Sequence, residues 1–214
     1  MESMNRQWRL ACYPEGMPAE NNWALSEAPV SEPGQNQMLV RAIYLDVAPY
    51  MRGRISPQKN YVAGVSLGDV MIGGGIGEVL RSNCKDYQPG DIVVTDHSFG
   101  WQEHALLRPS VVRRVDPQLA PLPYWLDALG MNGMTAYFAL LDAGRALPGD
   151  TVVISAAAGS VGQIAGQLAR ISGCRTVGVT SSPEKAAWCR EIGYDEVINY
   201  RTEPDLVGAF AKTC

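Results

Sequence analysis

Apolar and polar positions change their period once along this chain of 214 residues. From Met1 to about Asp116, short alternating apolar segments are cut by Gly, Pro and Asn, the pattern of strands with turns between them. Met38–Tyr44 predicts one strand, Ile72–Leu80 a glycine-interrupted one, and Ile92–Thr95 a third after the turn Gln88-Pro89-Gly90-Asp91. Such strands predict a compact barrel-like domain. The proline-rich connector Pro117–Pro123 marks its end, so the expected domains are residues 1–123 and 124–214.

Beyond the connector the period becomes helical. Trp125–Leu141 is apolar at helical spacing and stops at Asp142-Ala143-Gly144. After the turn Pro148-Gly149-Asp150, the β-branched run Thr151–Ser155 predicts a buried parallel strand and Val161–Ile171 a helix. A second strand, Arg175–Thr180, a second helix, Pro183–Ile192, and a short third strand, Glu196–Ile198, follow. The order βαβαβ is one half of a doubly wound nucleotide-binding sheet, which makes the fold class α/β.

The segment from Ala156 to Gly166 stands where the first strand hands over to the first helix. A pyrophosphate at a helix N-terminus meets unsatisfied N–H groups and the positive end of the helix dipole, and approaches closely only where side chains are small. Gly159, Ser160, Val161 and Gly162 are the residues expected to cradle it, with Gly166 packing the helix on the sheet. The competing reading is that the small residues only pack helix against strand. The second strand ends Thr180-Ser181-Ser182-Pro183-Glu184-Lys185, with no acid at its tip to hold a ribose 2′-hydroxyl. Hydroxyls at Thr180 and Ser181 with the cation of Lys185 suit a 2′-phosphate, so the expected cofactor is NADPH rather than NADH. The alternative for Lys185 is a solvated helix residue, with Glu184 competing for its charge.

Composition narrows the classes. A net charge of −4 with scattered Lys and Arg gives no footprint for nucleic acid. No apolar run is long enough to span a bilayer and Met1–Leu10 has no apolar signal core, so the cytoplasm is the expected location. The five cysteines are far apart without a C-x-x-C pair, which reads as free thiols in a reducing compartment. With two histidines, His97 and His104, and no clustered thiols, no zinc site is expected.

Tyr44–Gly53 resembles a "DPYMRG" stretch, Gly73–Val79 a glycine-rich strand, and Gly100-Trp101-Gln102-Glu103 a "GWQE" motif. With Gly133–Phe138 and Ala156–Gly162 in the same order, the chain resembles the zinc-independent branch of the medium-chain dehydrogenase/reductase superfamily, in its alkenal/one oxidoreductase group. The resemblance implies a GroES-like β-barrel substrate domain followed by a Rossmann domain, with the active site between them. It implies that Lys185 and Tyr200 contact the 2′-phosphate, that Tyr50 and Met51 border the nicotinamide and substrate, and that Thr135 and Tyr137 lie on the nicotinamide side. The plainer readings are a turn tyrosine at Tyr50, helix-core roles at Thr135 and Tyr137, and a strand-end aromatic at Tyr200.

The implied chemistry is hydride transfer to the β-carbon of an α,β-unsaturated aldehyde or ketone, with Tyr50, the cofactor ribose or water as proton source. The alternatives are a quinone reductase of the same superfamily and a non-catalytic nucleotide-binding fragment. The family's Asp is Ala48 here, and the chain stops at Cys214 after about three of the six strands of a full Rossmann sheet, which reads as a truncated chain. The free edge at its third strand predicts aggregation or a homodimer.

Overall fold

The structure is a computed structural model that describes residues 4–58 and 63–214. The chain divides into two compact units, Met1–Leu126 and Asp127–Cys214.

In the first unit, strands β1 (Met4–Leu10) and β2 (Trp23–Pro29) form an antiparallel ribbon. Strand β3 (Met38–Leu45), a short helix α1 (Tyr50–Arg54), and strands β4 (Gly75–Ser82), β5 (Ile92–Thr95), β6 (His104–Leu107) and β7 (Arg113–Arg114) follow. The five later strands form one antiparallel sheet ordered β6-β3-β4-β5-β7. Met38, Val40, Val79, Val93, Phe99, Ala105 and Leu107 make its core. The glycines of β4 have a packing reason: a Cβ on Gly75 would sit 2.8 Å from the Phe99 ring, and one on Gly77 2.4 Å from the Arg41 carbonyl. That strand begins at Gly75 rather than Ile72.

Strand β1 escapes the hydrophobic pattern because it is inverted. Its inward positions include Asn5 and Gln7, while Met4 and Trp8 face out, 42% and 45% exposed. The inward amides are satisfied by the "GWQE" loop: Asn5 Nδ2 and Gln7 Nε2 donate to Gln102 Oε1 at 3.1 and 3.0 Å, and Asn5 Nδ2 also donates to the His104 carbonyl at 2.8 Å. Buried amides with such partners lose little by leaving water.

The single helix expected over Trp125–Leu141 is replaced by two pieces. Leu122–Trp125 is a 3₁₀ turn whose Leu122 and Trp125 pack with Leu126 on Ile76, Val94 and Val115 of the first unit. Helix α2 starts at Met131, and its last stretch, Phe138–Ala143, is π-helical before Gly144. The chain between folds back on α2, so closely that a Cβ on Gly133 would lie 1.8 Å from the Ala128 carbonyl. Apolar spacing persisted across a break that this contact makes.

The second unit continues with β8 (Thr151–Ser155), α3 (Ser160–Ile171), β9 (Arg175–Thr180), α4 (Pro183–Glu191), β10 (Glu196–Asn199) and α5 (Leu206–Thr213). The strands are parallel in the order β10-β9-β8, the first-half arrangement of a Rossmann sheet. Helix α3 packs on β8 and β9, and α4 on β9 and β10. Strand β8 departs from the expected buried run: Val153 is 45% exposed, because β8 forms an edge of the described sheet, whereas Val177 in the central strand β9 is fully buried.

Candidate cofactor-binding site

The carboxyl ends of β8, β9 and β10 lie side by side, and that alignment gathers the residues expected around a dinucleotide. Asn199 pairs with Thr180 and Ser155 with Val179, while Ala157 N donates to the Val179 carbonyl at 3.1 Å and Tyr200 N to the Thr180 carbonyl at 3.1 Å. The glycine turn, the Thr180-Ser181 tip with Lys185, and Tyr200 thus occupy one end of one sheet.

The turn leaves β8 through Ala156, whose φ of 49° is in the left-handed region that favours glycine. Gly159 is the N-cap of α3, extended, with no side-chain hydrogen bond to the first turn. A Cβ on Gly159 would meet the Ala156 carbonyl at 3.1 Å and little else, so this glycine faces outward. Gly162 faces the other way: its Cβ would lie 2.4 Å from the Ala156 carbonyl and 2.9 Å from the Ala157 Cα. Its lack of a side chain lets α3 start against the turn itself. The outward surface is therefore Gly159, Ser160 and the uncapped N–H groups of the first turn, a cradle that fits an anion such as a pyrophosphate.

At the tip of β9 the residues separate into structural and accessible ones. Thr180, an expected cofactor contact, is 3% exposed, with its side chain enclosed. Ser182 caps α4, its Oγ accepting from Lys185 N at 3.3 Å, and Ser181 stays half-buried. Glu184 and Lys185 form no ion pair among the described residues, and the Ser182 side chain holds the Glu184 carboxyl below its ordinary value. Lys185 is exposed and takes part in none of the ion pairs among the described residues. Tyr200 is 46% exposed.

On α2, the Thr135 hydroxyl donates to the Met131 carbonyl at 2.7 Å, and Tyr137 is exposed, edge to face with Phe138 at 5.4 Å. The helix turns Gly133, Ala136 and Leu140 inward instead.

The first unit carries Tyr50 at the start of α1. Its hydroxyl lies 3.5 Å from the Asp96 carbonyl and its ring stands edge to face against His97 at 4.9 Å. Burial first, then the nearby Asp46, raises the phenol above its ordinary value. Burial also raises the Asp46 carboxyl, while His97 acts against it. Met51, expected at the substrate, is 4% exposed among Leu10, Ile55, Val65 and Met71, and its sulfur accepts from Ala48 N at 3.1 Å.

Sequence reasoning missed Tyr194. It is buried, its hydroxyl donates to the Gly162 carbonyl at 2.7 Å, and it fills the space expected of direct helix-on-sheet packing: a Cβ on Gly166 would fall 2.3 Å from its ring. The spacing of Gly162, Gly166 and Gly178 was the available signal. Asp46 and His97 gave none beyond their residue types. Among the described residues no group of three or more His, Cys, Asp or Glu side chains is placed to hold a metal ion.

An antiparallel-sheet unit is followed by a βαβαβ unit with its glycine turn at the end of the first strand, the first half of a dinucleotide-binding fold. The chain belongs to the medium-chain dehydrogenase/reductase superfamily: residues 6–115 match the family described as the N-terminal domain of oxidoreductase, and residues 160–214 the one described as zinc-binding dehydrogenase. It is 39% identical over 211 residues to the NADPH-dependent curcumin reductase of Escherichia coli (strain K12), covering 98% of this chain and 60% of the relative. It is 34% identical over 217 residues to the NADP(+)-dependent 2-alkenal reductase of Nicotiana tabacum, covering 99% of this chain and 63% of the relative. The crystal structure of CurA from Vibrio vulnificus in complex with NADPH superposes with a TM-score of 0.88 at 37% identity, covering 98% of this chain and 61% of that one. The chain thus spans about three-fifths of the length of the relatives it matches.

Proposed function

We propose that this chain is part of an NADPH-dependent, zinc-independent reductase of the carbon–carbon double bond in α,β-unsaturated aldehydes and ketones. The carrying observation is the set of accessible groups at one end of the parallel sheet: outward Gly159 and Ser160 at an uncapped helix start, Ser181 and an unpaired Lys185 at the acid-free tip of β9, and Tyr200 beside them. Backbone N–H groups suit the pyrophosphate, and a cation with hydroxyls suits a 2′-phosphate. Bound NADPH supplies the hydride. The names of the curcumin and 2-alkenal reductases support an enone or enal as the small-molecule substrate.

Tyr50 is the proposed hydrogen-bond or proton donor toward the substrate oxygen. The phenol is protonated at neutral pH and can donate a hydrogen bond to developing negative charge, its orientation set by the His97 ring. Thr135 and Tyr137 are proposed on the nicotinamide side. Zinc independence is supported by the scarcity of clustered ligands: His97 stands against the Tyr50 ring, and the cysteines are free and dispersed. The free thiols also support a reducing compartment, the cytoplasm. No helix of the described residues is long and apolar enough to cross a membrane. A homodimer remains part of the proposal, with light scattering as its check.

The test is NADPH oxidation in the presence of trans-2-nonenal, with a quinone in parallel. Loss of NADPH absorbance with the enal and production of the saturated aldehyde support the reading. Turnover with the quinone alone replaces it by a quinone reductase, and turnover with neither sinks it.

A further inference from the structure

We infer that Tyr194 is a positioning residue for the dinucleotide cradle, acting through its hydrogen bond to the Gly162 carbonyl in the first turn of α3. This rests on the reading of the glycine turn as the pyrophosphate site.

Three elements leave room for one ring. A Cβ on Gly166 of α3 would lie 2.3 Å from the Tyr194 Cζ, one on Gly178 of β9 would lie 3.0 Å from its Cδ1, and Ala157 of the turn packs in the same cluster. A phenylalanine would fill that room equally. The hydroxyl adds one thing, the 2.7 Å bond to Gly162 O. A carbonyl has two lone pairs, so that oxygen can accept from Tyr194 as well as from its own helix. The bond ties the residue that follows Ser160 and Val161 to the loop after α4.

That loop is itself fixed. Tyr194 N donates to the Cys189 carbonyl at 3.0 Å, and Arg170 Nη1 donates to the Gly193 carbonyl at 2.7 Å. The Asp195 carboxylate accepts from Thr176 N at 2.7 Å and from Thr176 Oγ1 at 2.9 Å. Gly193, at a φ of 104°, makes the bend that brings Tyr194 inward. A ring pinned on both sides and bonded to the first helical turn fixes where the N–H groups of Ser160, Val161 and Gly162 point. Preorganised donors bind an anion better than donors that must first be ordered.

The test compares the chain with its Tyr194→Phe variant, in binding rather than turnover. Dissociation constants for NADPH and NADH are read from cofactor fluorescence, and amide hydrogen exchange of Ser160–Gly162 is measured without cofactor. Loss of one neutral hydrogen bond corresponds to about a three- to tenfold weaker affinity. Both cofactors weaken by the same factor, because the pyrophosphate is common to them, and exchange at Ser160–Gly162 accelerates while that of β9 does not. Lys185→Ala differs, weakening NADPH alone. A purely structural tyrosine would lower the melting temperature and leave both affinities unchanged, which would overturn the inference while the cofactor reading stands. Failure of the unaltered chain to bind either dinucleotide overturns the reading and the inference together.

Discussion

The ring of Tyr50 meets the imidazole of His97 edge to face, with centroids 4.9 Å apart and planes inclined at 74°. Edge-to-face contacts fix ring orientation as well as position, so the Tyr50 hydroxyl is aimed by a neighbour to which the sequence reading gave no role. Tyr50→Phe keeps that contact and removes the donor. Turnover of an enal is expected to fall about a hundredfold, in the range for loss of an oxyanion or proton donor, while NADPH affinity is unchanged. Single-turnover kinetics with a separate binding titration checks this, and wild-type turnover in the variant removes Tyr50 from the chemistry.

Alkaline pH tests Tyr194. Burial, and secondarily Cys189, raises its phenol well above the ordinary 10.0. A group with a raised folded value contributes stability that is fully present below the unfolded value and is lost as pH rises toward the folded one. Thermal stability should therefore decline as pH climbs past 10.0, and the decline should be shallower in Tyr194→Phe, which has no proton to lose. At neutral pH the same variant should be less stable by about 1 kcal/mol, the ordinary net worth of one hydrogen bond.

Gly166→Ala sets two effects against each other. Alanine favours a helix interior over glycine by about 1 kcal/mol. The new methyl, however, would lie 2.3 Å from a buried ring whose loop is fastened by Arg170 and Asp195. Overpacking of this kind costs roughly 1–3 kcal/mol, and because the ring has no slack the variant should be net destabilised. Adding Tyr194→Ala removes the obstruction, so the double variant should lose less than the sum of the single changes. Additive losses in chemical denaturation would show that methyl and ring do not meet.

How much of this was legible in the sequence depended on whether burial matched polarity. The second unit was readable because the Pro148-Gly149-Asp150 turn, the β-branched strand and the capped α4 each favour the element they form; Arg175–Thr180 falls at its expected bounds. Strand β1 was not readable, since its inward Asn5 and Gln7 are satisfied by Gln102 and His104 roughly a hundred residues away. Met51 stood in a motif, yet the motif could not say which side of a five-residue helix faces the core. Tyr194 was hidden because a space left by two glycines is visible only once α3 and β9 are brought together.

Mild acid should act on the first unit through His104. Its Nδ1 is buried without a hydrogen-bond partner among the described residues, and burial lowers the pKa below the ordinary 6.5, against the pull of Glu103 and with Arg41 and Arg81 adding to the depression. A depressed folded value means that the stability is present above 6.5 and is lost as pH falls through the folded value, because the unfolded chain takes up the proton first. The melting temperature should therefore begin to drop below 6.5, well before Asp195 of the second unit, held below its ordinary 3.8 by the Thr176 backbone and side chain, can contribute. His104→Gln removes the titrating group, so its melting temperature should be lower at neutral pH but flatter between neutrality and mild acid. An equal acid-induced drop in both proteins would place the proton uptake elsewhere.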